Sequence, residues 1–264
     1  MPPDGADGRS QAELVGQAAT WLERLYELVP GFRVIHAATA EGPEECDALL
    51  QNDFASQHLD DMFDARAYSA WLATAPLRRE YRSYAGQLNL LRRPEEGAKP
   101  WVLKSPSHLG HLDALIEACP EATIVHCHRH PAEAVPSYAS LILSLRRAYS
   151  DEVSPAAVGR QALDRCRSAM TRALAVRVED PDRFIDVSYA GLVRRPEATV
   201  AAIYERLGRS RPEAVEASVG AWLAGHPQHQ HGVHRYTLAD FGLGTVALEA
   251  AFDSYLEASA SRLT

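Results

Sequence analysis

Positive charge is in short supply. Lysine and arginine total 27 against 35 aspartates and glutamates, a net charge of -8 with a pI near 5.8. That balance gives no electrostatic surface for nucleic acid or anionic lipid, although a few local cations can still hold a small anionic ligand. Cysteine is scarce too. Cys46, Cys119, Cys127 and Cys166 stand at wide, irregular spacings that match neither a paired zinc motif nor a dense disulfide framework, and they read as free thiols in a reducing compartment. No apolar run reaches the length of a membrane span, and the opening MPPDGADGRSQ has neither a basic start nor an apolar stretch. The expected location is the cytoplasm, with no membrane partner. Internal repeats are lacking as well, so the chain reads as one continuous organisation.

What is present is a core. With 264 residues, 46% of them hydrophobic, the chain is long enough for one sizeable core with a helical annex. One domain over 1–264 is expected, divided into a disordered tail (1–10), a helical annex (11–95), and a parallel-sheet core with C-terminal helices (96–264). Apolar spacing predicts helices over Gln11–Leu28, Glu44–Leu50, Ala65–Leu72 and Arg79–Leu91, with little strand signal among them. After the turn-rich RRPEEGAKP the pattern changes. WVLK, ATIVHCH and FIDVSY read as buried strands, and they alternate with helices over His108–Ala118, Ala132–Ala148, Pro155–Val178 and Pro196–Leu207. Such alternation implies an α/β fold with a parallel sheet flanked by helices.

In open parallel sheets, ligands bind beyond the carboxyl ends of the strands, where loops and helix N-termini converge. The residues ending the three expected strands are Lys104, Arg129 and Tyr189. Lys104 and Arg129 on one rim would offer a point charge and a planar fork suited to phosphate or sulfate oxygens. An anion site on an acidic protein follows. The plainer alternatives are a solvated Lys104, a surface Arg129, and a Tyr189 that merely marks an amphipathic boundary.

The stretch WVLKSPSHLGHLDALIEACPEATIVHCHRHPAEAVPSYASL resembles the centre of the bacterial sulfotransferase family, whose members use 3'-phosphoadenosine 5'-phosphosulfate (PAPS) as sulfuryl donor. EGPEECDALL, FIDVSYAGLVRRPEATV and HGVHRYTLADFGL resemble its flanking segments in the same order, so the likeness runs from about Tyr26 to the C-terminus. The resemblance implies a P-loop-like three-layer fold and transfer of sulfate to a hydroxyl or amine of a small-molecule acceptor. Adenosine 3',5'-bisphosphate would be the product, and no metal is needed. It also implies roles: Arg129 and Ser137 for the donor's 3'-phosphate, Lys104 for charge on the bridging oxygen as the sulfuryl group leaves, Tyr189 near the nucleoside, and Arg235 in a C-terminal loop, HRY, that closes over it.

The family begins with a strand and a loop of the form glycine, any residue, proline, arginine, serine or threonine, glycine, threonine, which cradles the 5'-phosphosulfate. Nothing in this sequence matches it. Either the chain is a fragment, or its sheet has uncovered edges that a second copy covers or a partner completes by supplying the strand and loop. Two other readings stay open: an enzyme on the same scaffold with different chemistry, and a non-catalytic homologue that binds a nucleotide or partner. The catalytic base is open among His108, four residues after Lys104, and His36 and Glu41 in RVIHAATAEGPEEC. HPQHQHGVH places His226, His229, His231 and His234 close together, but without periodic placement or a carboxylate partner it is not read as a metal site.

Overall fold

The computed structural model describes residues 8–29, 31–92, 99–227 and 230–263. Most of RRPEEGAKP, the first seven residues of the tail, and His229 lie outside them. Several helices begin where a side chain satisfies an otherwise unpaired N–H. Ser10 and Glu13 close a reciprocal capping box at the start of α1 (Gln11–Leu28), the Ser10 N–H reaching the Glu13 carboxylate at 2.7 Å. Then come α2 (Phe32–Ile35), α3 (Asp47–Leu50), α4 (Gln57–Met62), α5 (Arg66–Thr74) and α6 (Arg78–Leu91). A 3-10 stretch, Pro106–His111, leads into α7 (Leu112–Ala118), where the sequence suggested one helix from His108.

The parallel unit follows as β1 (Ile124–His128), α8 (Pro131–Arg147), α9 (Pro155–Glu179) and β2 (Phe184–Ser188). After it come α10 (Tyr189–Arg194), α11 (Pro196–Arg206), α12 (Glu213–Gly225), α13 (Thr245–Ala251) and α14 (Asp253–Ser259). Pro131, Pro155 and Pro196 each take the first helical position, where a missing N–H costs nothing. The fold is α/β, as the sequence implied.

β1 and β2 pair in parallel, in a register running from Ile124 opposite Phe184 to His128 opposite Ser188. They make up the whole sheet among the described residues. WVLK, expected as a third strand, is irregular. Its composition suits a strand, but a strand exists only with a ladder partner, and Val102 is instead 95% exposed. β1 buries His126 and His128 on one face and leaves Val125 and Cys127 exposed on the other.

Two apolar clusters hold these elements. Leu50, Leu72, Tyr81, Tyr84 and Leu88 pack with Leu112, Leu115 and Phe184, joining the N-terminal helices to α7 and β2. Val135, Ala139 and Ile142 of α8 and Val158 and Ala162 of α9 pack with Phe241, Leu248, Phe252 and Tyr255 from the C-terminal segment. Full burial of each large aliphatic or aromatic side chain contributes about 1.5–3 kcal/mol. Gly159 lets α9 approach the C-terminal loop, since a Cβ there would stand 2.3 Å from the Phe241 carbonyl oxygen.

Candidate active site

Because His128 and Ser188 are register partners, the residues that follow them emerge side by side at the carboxyl rim. The Arg129 guanidinium lies over the Tyr189 ring, 4.6 Å from its centroid, and its Nε donates to Glu133 at 3.0 Å. Burial lowers the Arg129 pKa, but Glu133 and, more weakly, Tyr236 of the C-terminal loop and Tyr189 raise it above its ordinary value. Ser137 stands half-buried on the second turn of α8, eight residues beyond Arg129. Arg235 is exposed, and with His234, Tyr236, Thr237 and Asp240 it lines an open depression of about 450 Å³. The loop is pinned at both ends. Ser140 Oγ and His234 Nε2 are 2.5 Å apart, and Phe241 is buried against Gly159.

A polar network lies beneath Arg129. His128 bonds Asp186 through Nε2 at 2.8 Å and the Tyr255 hydroxyl through Nδ1 at 3.1 Å. Arg177 donates to both Asp186 oxygens at 2.7 and 2.6 Å, and Arg262 lies 2.9 Å from one of them. Burial by itself would raise the Asp186 carboxyl, but the bonds from Arg177 and His128 hold it below its ordinary value. Burial drives the neighbouring His126 down to about 3. His126, His128 and Asp186 are close enough to be read as metal ligands. The donor set does not fit a cation, because two guanidiniums already occupy and neutralise the carboxylate.

Lys104 sits off the sheet, yet its charge acts on both Cys127 of β1 and His36. Its exposed ammonium pairs with Glu45, and its carbonyl accepts the Cys46 N–H at 3.0 Å. The next residue, Ser105, donates its hydroxyl to Asp47 at 2.6 Å. His36 is 3.2 Å from Glu44, and that hydrogen bond raises its pKa against the opposing effect of burial. Glu41 lies exposed on the intervening turn. His108 is buried, with Nδ1 bonded to the Tyr81 hydroxyl at 2.8 Å, and desolvation lowers its pKa to about 4.

The three described histidines of HPQHQHGVH have separate partners. His226 stacks on Trp222 at 4.5 Å and bonds its carbonyl, His231 meets Gln230, and His234 meets Ser140. Sequence reasoning passed over Glu44, Glu45, Asp47 and Glu133. Only Glu133 carried a readable signal, its i,i+4 spacing from Arg129.

The sulfotransferase family model matches residues 4–213, most of the chain. The chain belongs to the sulfotransferase family. Its fold is similar to that of sulfotransferase STF9 from Mycobacterium avium, with a TM-score of 0.78 at 26% identity over 94% of this chain and 66% of that one. STF1 from Mycobacterium tuberculosis H37Rv is similar at a TM-score of 0.74 and 28% identity, over 93% and 66%. Among curated proteins, the chain is similar to Stf3 of Mycobacterium tuberculosis and of Mycobacterium bovis, named omega-hydroxy-beta-dihydromenaquinone-9 sulfotransferases. Each is 26% identical over 151 residues, 53% of this chain and 37% of the relative. The chain thus spans little more than a third of the curated relatives' length.

Proposed function

We propose that this chain transfers a sulfuryl group from PAPS to a hydroxyl or amine of a small-molecule acceptor. The observation that carries the reading is the register-set pairing of Arg129 with Tyr189 at the carboxyl rim, beneath the loop bearing Tyr236. Arg129 offers a planar fork, and Ser137 a hydroxyl on the second turn of α8, for the donor's 3'-phosphate. Tyr189 and Arg235 flank the nucleoside. Lys104 meets the negative charge that develops on the bridging oxygen.

The acceptor oxygen forms a bond to sulfur as the bond from sulfur to the bridging oxygen breaks, and adenosine 3',5'-bisphosphate leaves. The acceptor's proton passes to His36. Its partner Glu44 makes it the better base, whereas His108 is enclosed and already bonded to Tyr81. Membership of the family supports the sulfuryl donor, and the omega-hydroxy compound in the name of Stf3 supports an alcohol acceptor. The test is calorimetry with adenosine 3',5'-bisphosphate, followed by sulfate transfer from PAPS to a panel of alcohols and amines. Binding lost in Arg129→Ala is expected. Absence of binding to the unaltered chain at millimolar ligand overturns the reading.

A further inference from the structure

We infer that Glu45, Cys46 and Asp47 form a three-point clamp that sets the position of Lys104, with Asp47 as a positioning residue for the transfer step. The inference rests on the role proposed above for Lys104. Three consecutive residues each hold the Lys104–Ser105 pair at a different place: Glu45 takes the ammonium, the Cys46 N–H takes the Lys104 carbonyl at 3.0 Å, and Asp47 takes the Ser105 hydroxyl at 2.6 Å. The Asp47 carboxylate cannot swing away. It is 2% exposed, and its other oxygen accepts the Gln57 N–H at 3.0 Å and the Ser56 hydroxyl at 3.3 Å.

The need for such a clamp follows from the irregular WVLK segment. A cation at the end of a strand is located by the ladder on either side, but Trp101–Lys104 has no ladder among the described residues. A lysine on free backbone adds its own rotatable bonds to that freedom, and a misplacement of about 1 Å can cost roughly 100-fold in rate. Segment 45–47 replaces the missing ladder with one backbone bond and one buried carboxylate. Ser105 passes the restraint on, since it is extended (φ -160°, ψ 137°) and caps the Ser107 N–H at the start of the 3-10 stretch. The Lys104 side chain is 69% exposed and its ammonium is paired with a carboxylate, so it can move to an incoming anion while its backbone stays in place.

The test uses the fact that Lys99 and Lys104 are the chain's only lysines. Reductive methylation with a carbon-13 label then gives one signal from each, read by NMR with no donor present. Asp47→Ala and Ser105→Ala are both expected to shift and broaden the Lys104 signal and leave that of Lys99 unchanged. Both are expected to lower kcat about 10-fold or more with the donor KM held within about 2-fold. Asp47→Asn, which keeps one acceptor oxygen for the donors on its two sides, is expected to restore only part of the rate. In a Lys104→Ala background Asp47→Ala is expected to cost nothing further, because its effect runs through the lysine.

An unchanged Lys104 signal in folded Asp47→Ala or Ser105→Ala, or an undiminished loss in the Lys104→Ala background, overturns the clamp. Ser105→Ala removes only the outer arm and carries the NMR and kinetic readouts if Asp47→Ala fails to fold. The NMR arm needs no turnover, so a chain that transfers no sulfate at all refutes the sulfuryl reading while the clamp is judged separately.

Discussion

Arg129 spends its guanidinium on two neighbours, the Tyr189 ring face and the Glu133 carboxylate. An incoming phosphate has to compete with Glu133, which a planar fork with several donors can accommodate and a point charge cannot. Arg129→Lys is therefore expected to weaken adenosine 3',5'-bisphosphate roughly 10-fold despite keeping the charge, and Arg129→Ala more, as read by calorimetry. Tyr189→Leu removes a cation–π contact of about 0.5–2 kcal/mol and is expected to cost less. His36 makes a prediction about pH. Its neutral ring is the base, so the rate climbs as pH rises through a pKa that Glu44 holds above the ordinary 6.5. Glu44→Gln removes that support, and the limb of the kcat/KM profile is expected to move to lower pH. The linkage to stability has the opposite sense: the protonated His36–Glu44 pair stabilises the fold below the unfolded-state pKa, and this is lost as pH rises through the folded value.

The approach of α9 to the C-terminal loop depends on Gly159, whose added Cβ would meet backbone and not a yielding side chain. Gly159→Ala is expected to cost about 1–3 kcal/mol by overpacking, seen as a lowered Tm, and to weaken nucleotide binding by displacing the loop that carries Arg235 and Tyr236. How far such elements could be read from the sequence depends on where their determinants lie. The bounds of α1 and the strands IVHCH and FIDVS were legible because caps, periodicity and turn residues are local. Arg129 and Tyr189 were legible for the same reason, as residues that end strands. WVLK misled, since strand composition is local but a ladder partner is not. QHLDDM gave no helix signal because Asp60 and Asp61 look like surface residues while both are buried, and the weak periodicity of Glu213–Gly225 hid α12. Asp47 reaches Ser105 across 58 positions, and no spacing rule connects them.

Those two aspartates explain how the N-terminal helices stay joined to the α8–α9 pair. Arg165 of α9 bridges Asp60 and Asp61, lying 2.6 Å from the latter, and the Tyr138 hydroxyl of α8 donates to Asp61 at 2.6 Å. Arg146 of α8 donates to the Asp60 carbonyl at 2.8 Å, and Gln161 reaches the Asp60 carboxylate at 3.3 Å. Burial pushes the Asp61 carboxyl up to about 8, against the lowering effect of the Tyr138 hydrogen bond and of Arg146. Removing one member of a buried ion network leaves the others uncompensated, which costs about 3–5 kcal/mol, whereas removing charge on both sides is close to neutral. Arg165→Met is expected to destabilise the protein by that amount in denaturant unfolding, and adding Asp60→Asn and Asp61→Asn is expected to recover most of it. The consequence reaches the rim. Asp47 is held in part by the Gln57 N–H at the start of α4, so a loosened α4 releases one anchor of the carboxylate that restrains Ser105. Hydrogen exchange in Arg165→Met is expected to accelerate over residues 57–62, with kcat falling more than donor affinity. Unchanged exchange in that segment would show that the network holds the helices without holding the site.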